Sequence, residues 1–78
     1  MDKINNAVEV YARWNGIERK VLYSAFFYNE GTQKLENLVG YISKTALYED
    51  MKAAGATPAQ IKEARAIGKR IKPYAYRR

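Results

Sequence analysis

The stretch GKRIKPYAYRR, residues 68–78, sets cations and tyrosines side by side. Together with the turns of chain before it, it offers Lys62, Arg65, Lys69, Arg70, Lys72, Tyr74, Tyr76, Arg77 and Arg78. Ammonium and guanidinium groups neutralise phosphates and release their counterions. A guanidinium fork also matches a phosphate in bidentate fashion, and a tyrosine ring stacks on an unpaired base. These residue types in this order point to nucleic acid, RNA or DNA, held with little reading of sequence, or to an acidic protein surface. A purely structural role competes, because cations near a helix C-terminus complement its dipole and improve solubility. That role accounts for Lys69 and Arg70 but does not reach the residues past Pro73.

The placement of charge supports the first reading. Residues 1–58 balance Lys3, Arg13, Arg19, Lys20, Lys34, Lys44 and Lys52 against Asp2, Glu9, Glu18, Glu30, Glu36, Glu49 and Asp50. The net charge of +6 therefore belongs to residues 59–78, where Glu63 is the sole anion. A basic end on a neutral body is the footprint of a polyanion or an acidic partner.

Catalysis finds little support. The chain has no cysteine and no histidine, so thiolate chemistry, disulfides, histidine-based triads and zinc fingers are excluded. Glu49 and Asp50 are adjacent and diverge on a helix, and no carboxylates fall at metal-site spacing. None of the five glycines forms a phosphate loop. A small metal-independent ribonuclease, working through Lys, Arg and Tyr, is the one enzyme class left, and it lacks a visible general base. The expectation is a protein that is not an enzyme and needs no cofactor or metal.

Seven tyrosines in 78 residues raise the prospect of a second binding surface. Tyr11, Arg13, Lys20, Tyr28, Tyr41 and Tyr48 are its candidates, whereas Tyr23 falls on the core face. Apolar content of 47% suits one small globular domain, residues 1–71, followed by a basic-aromatic tail, 72–78. A chain of this size buries only about 60% of its unfolded surface. Neither an apolar signal core nor a run near the ~20 residues of a membrane span appears, so no membrane partner and a cytoplasmic location are expected.

The elements that must position these residues follow from turns and periods. Asn15-Gly16 predicts a two-residue type I′ turn. Strands over about 4–14 and 17–27 then pair Trp14 with Ile17, Val10 with Val21, Val8 with Tyr23 and Ile4 with Phe27 on one face. Arg13 with Glu18, Tyr11 with Lys20 and Glu9 with Leu22 lie on the other. Ile4, Ala7, Val8, Tyr11 and Trp14 also fit a helix ending at Asn15-Gly16. Beyond the turn cluster 29–32, Leu35, Leu38, Val39, Ile42 and Ala46 follow helical spacing, with Thr32 as N-cap. The stripe then rotates to Leu47, Met51 and Ala54, which predicts a helix over about 33–54 that resets near 43–45. Gly55 ends it, Thr57-Pro58 starts a helix over 58–71, and Pro73 releases the tail. On that last helix Ile61, Ala64, Ile67, Gly68 and Ile71 form an apolar stripe, with Lys62, Arg65 and Lys69 beside it.

The fold class is thus α+β, a two-stranded antiparallel hairpin packed by two helices. Residues 44–71 also resemble the outline of a helix-turn-helix, but only Gln60 and Lys62 near the second helix's start carry base-reading side chains. A plain helical hairpin is the expectation. Open strand edges, blunted by Lys3, Glu9, Arg13, Glu18 and Lys20, favour a homodimer through the hairpin edge or strand addition to a target. The leading function is a nucleic-acid-contacting accessory or regulatory protein. The alternative is a small inhibitor or adaptor, of the kind phages and mobile elements carry. It would dock a basic, tyrosine-rich surface on an acidic or nucleic-acid-binding site of another protein.

Overall fold

The structure is a computed structural model that describes residues 8–71. Three strands, β1 (Val8–Asn15), β2 (Lys20–Asn29) and β3 (Lys34–Tyr41), precede two helices, α1 (Lys44–Ala53) and α2 (Pro58–Lys69). The strands form one antiparallel sheet in the order β1-β2-β3, and both helices cover one face of it. The α+β class and the run of strands followed by two helices agree with expectation. The sheet has one strand more than the hairpin reading allowed.

The first correction concerns the turn after Asn15. It is not a two-residue type I′ turn but a four-residue loop. The Asn15 side-chain Oδ1 accepts from the backbone N–H groups of Ile17 at 3.0 Å and Glu18 at 2.9 Å. Arg19, at φ 59°, closes the loop by donating to the Asn15 carbonyl at 2.7 Å. Asn15 therefore ends the strand and holds the turn by its own side chain, as short polar residues do. Trp14 faces Val21 instead of Ile17, and Val10 faces Ala25. The register moves by an even number of residues, so every side chain keeps the expected face. The cross-strand pair Arg13–Glu18 is lost, and Glu18 instead meets Lys20 at 3.6 Å. The pairing of Ile4 with Phe27 lies outside the described residues.

The second turn repeats the first. Asn29 Oδ1 accepts from Gly31 N–H at 2.8 Å and Thr32 N–H at 3.2 Å. Gln33, at φ 59°, donates to the Asn29 carbonyl at 2.7 Å. Thr32 is thus a turn residue rather than a helix cap, and residues 34–41 are a strand rather than the first half of a helix. Leu35, Leu38 and Val39 satisfied helical spacing because apolar residues sit on both faces of this strand. Leu38 packs on the core, while Leu35 and Val39 are exposed on the other side. Periodicity over eight residues does not separate such a strand from an amphipathic helix. Opposite Ser24 the strand carries a bulge, with Gly40 at φ +84°. β2 is consequently central, so Lys20 does not guard an edge; the open edges are β1 and β3.

Helix α1 starts where the reset was expected. Ser43 caps it by accepting from Ala46 N–H at 3.1 Å. Gly55, at φ +110°, follows the C-cap Ala54. Thr57 and Gln60 then form a reciprocal capping box around Pro58, at 3.1 Å and 2.9 Å. The core gathers Val8, Val10, Tyr23, Ala25 and Phe27 from the sheet with Leu47, Tyr48, Met51 and Ala64 from the helices. Two buried amides tie the layers together. Gln60 Nε2 donates to the Tyr28 carbonyl at 2.7 Å, and Asn29 Nδ2 donates to the Ala54 carbonyl at 2.9 Å. No helix among the described residues is long and apolar enough to cross a membrane.

Candidate functional site

The expected basic stripe forms, and it forms half of a groove. Lys62, Arg65, Lys69 and Arg70 project from α2, and Lys44 faces them from the start of α1. The groove measures about 770 Å³, with Tyr48 in its lining, and no carboxylate lines it. A second depression of about 400 Å³ continues toward the α1–α2 connection, where Lys52 joins Lys62 and Arg65. Glu49 stands beside Lys52 and Arg65 at the edge of the seam.

The groove exists because two helices approach closely. Gly68 is buried, and a Cβ on it would fall 1.9 Å from the Tyr48 hydroxyl oxygen. The missing side chain lets Tyr48 lie flat against α2, where its hydroxyl donates to the Ala64 carbonyl at 3.4 Å. The Arg65 guanidinium carbon then sits 5.3 Å from the centre of the Tyr48 ring, a cation–π placement that holds the charge at the groove's surface. Burial raises the Tyr48 pKa above its ordinary value; the Arg65 charge opposes this and Tyr23 adds to it. The phenol therefore stays neutral in the groove at physiological pH.

Lys44 plays a double part. Its ammonium donates to the Gly68 carbonyl at 2.9 Å and lies 5.7 Å from the centre of the Tyr23 ring. It thereby adds a second donor to a carbonyl that already accepts from Ile71 N–H at 3.1 Å, and it complements the dipole in the last turn of α2. Lys69 and Arg70 share that helix end. Lys62 and Arg65 lie earlier on α2, so the dipole does not account for them.

Four of the expected binding residues, Lys62, Arg65, Lys69 and Arg70, are thus brought together. Lys72, Tyr74, Tyr76, Arg77 and Arg78 lie outside the described residues. Lys44 and Lys52 were missed. Their signal was the spacing Lys44, Tyr48, Lys52, one face of a helix at steps of four. It was obscured by placing α1 inside a longer helix.

The second candidate set splits. Tyr11, Arg13, Lys20 and Tyr28 lie on the sheet face away from the helices, as the alternation required for Tyr11 and Tyr28. Tyr41 and Tyr48 do not share a helix. Tyr41 ends β3, and its hydroxyl donates to Asp50 at 2.5 Å; that hydrogen bond, then burial, then the Asp50 charge raise its pKa. Tyr48 is a buried residue of the core. The helix-turn-helix outline also loses one of its two readers, because Gln60 is fully buried against the sheet while Lys62 stays exposed. Among the described residues no group of carboxylates is arranged to hold a metal ion. Comparison with protein-family models, curated proteins and solved structures finds no match to this chain.

Proposed function

We propose that the protein is a small nucleic-acid-contacting accessory protein that grips a phosphate backbone in the α1–α2 groove. One observation carries this reading. Five cations from two helices converge on a single groove with no carboxylate in its lining. Self-repulsion among them is a cost that a purely solubilising surface avoids by interspersing signs, and bound phosphates turn it into attraction. The groove offers few groups for base edges, so recognition is of backbone rather than sequence. The tail 72–78 extends the grip and supplies tyrosines for unpaired bases.

The test is a salt titration of binding to mixed-sequence RNA and DNA, single-stranded and duplex. For duplex DNA, log Kd against log salt is expected to follow a slope of about 0.9 per neutralised phosphate. Replacing Lys62, Lys69 and Arg70 with Gln together reduces that slope by about 2–3 contacts. Removing residues 72–78 weakens binding further. Absence of binding at low salt, or a slope indifferent to all these changes, rejects the reading. Retention of a protein partner from nuclease-treated lysate, with no nucleic-acid affinity, shifts the groove to an acidic protein surface.

A further inference from the structure

The sheet face turned away from the helices is apolar at its centre and charged at its ends, and the pattern is its own complement. Its middle row pairs Tyr11 with Ser24, and across from Ser24 the bulge of β3 holds Val39 and Gly40. One row to one side, Glu9 pairs with Phe26; one row to the other, Arg13 pairs with Leu22. The outermost rows bring Tyr28 at one end and Lys20 at the other. Val39 and Leu35 on β3 are 69% and 64% exposed, and Tyr11 is 46% exposed with its ring 5.9 Å from that of Phe26. Exposed apolar side chains contiguous on one face mark an interaction surface.

We infer that this face seats a second copy of the chain, sheet on sheet, about a twofold axis that crosses the strands at the pair Tyr11–Ser24. Such an axis turns each strand end for end over its own copy. Glu9 then lies over Arg13 of the second copy, and the reverse pair repeats it. Phe26 meets Leu22 of the second copy, also twice. Lys20 comes over the ring of Tyr28. On the axis Tyr11 meets Tyr11 and Ser24 meets Ser24. No like charges oppose one another. Turning instead about an axis along the strands lays β1 over β3 and leaves Glu9 and Arg13 without opposite charges. Sheets packed this way lie about 10 Å apart with strands nearly aligned. Four outward positions on β1, five on β2 and three on β3 cover on the order of 400 Å². That is about half the area per partner of a standard interface, which places the association among weak, reversible ones. The helices stay on the outside, and the dimer presents two basic grooves facing away from each other. This inference does not rest on what the grooves bind.

Analytical ultracentrifugation of the full chain, from roughly 1 to 500 µM, tests it. The mass is expected to rise toward that of two chains. Glu9→Arg alone and Arg13→Glu alone each place like charges across the axis twice, and each weakens dimerisation about tenfold or more at low salt. The two together restore opposite pairs and return the Kd to within about threefold of the parent. Both residues are exposed, and circular dichroism verifies that each variant folds. A monomer throughout the range overturns the inference and leaves the face to the terminal segments or a different partner. A dimer indifferent to the single reversals, or a double variant as weak as the singles, overturns it equally.

Discussion

Gly68 and Tyr48 show how one atom's absence can organise a site. A methyl on Gly68 meets the Tyr48 hydroxyl at 1.9 Å and the ring carbon that bears it at 3.3 Å. Gly68→Ala is therefore expected to cost about 1–3 kcal/mol, as overpacking does, despite alanine's better helix propensity. In a Tyr48→Phe background the hydroxyl is gone and the cost falls, which urea denaturation of the four variants measures as a coupling energy. The same hydroxyl gives a pH signature. A phenol with a higher pKa in the fold than in the unfolded chain binds its proton more tightly when folded. The stability this contributes is complete below the ordinary value of 10.0 and is lost as pH climbs through the raised folded value. The denaturation midpoint is expected to fall above about pH 10, and Tyr48→Phe to flatten that fall. In the sequence Gly68 reads as a small residue for close packing; its partner does not, because Tyr48 lies off the stripe that a longer α1 presents.

The two hairpin turns are built alike yet do different work. Asn15 and Asn29 each accept two backbone N–H bonds and precede a residue at φ 59°. Asn15 stops there. Asn29 is buried, and its amide also donates to the Ala54 carbonyl, clasping the sheet to the end of α1. Gly55 makes room for that clasp, since a Cβ there would lie 2.7 Å from Asn29 Nδ2. Asn29→Ala is expected to cost about 1–3 kcal/mol, because it also removes the donor of a part-buried carbonyl. Asn15→Ala loses only exposed turn bonds and costs well under half as much, a difference read directly from paired urea denaturation curves. Helix boundaries at Ser43, Gly55 and Thr57-Pro58 were legible because caps are local chemistry. β3 was not, because apolar residues on both of its faces satisfy helical spacing over so short a run.

At the scale of the molecule, the layers separate two surfaces with different physics. The helical side carries Lys44, Lys52, Lys62, Arg65, Lys69 and Arg70 along one seam. The sheet side carries apolar residues bounded by Glu9 at one end and by Arg13 and Lys20 at the other. Of these two surfaces, only the first is expected to govern the salt slope of the proposed nucleic-acid binding. Lys20→Gln, on the second, is the control expected to leave that slope unchanged while groove replacements lower it. The sequence by itself determined the charge asymmetry, the exclusion of histidine and cysteine chemistry, the face each residue of β1 and β2 takes, and the helix boundaries at Ser43, Gly55 and Thr57-Pro58. Each of these follows from composition, from a period of two, or from bonds that span three or four residues. Only the tertiary structure decided the register, the third strand, the arrival of Lys44 and Lys52 beside Arg65, and the burial of Gln60 and Tyr48. Those depend on which distant segments meet, and a contact between α1 and α2 across Gly68 leaves no mark in the spacing of either helix alone.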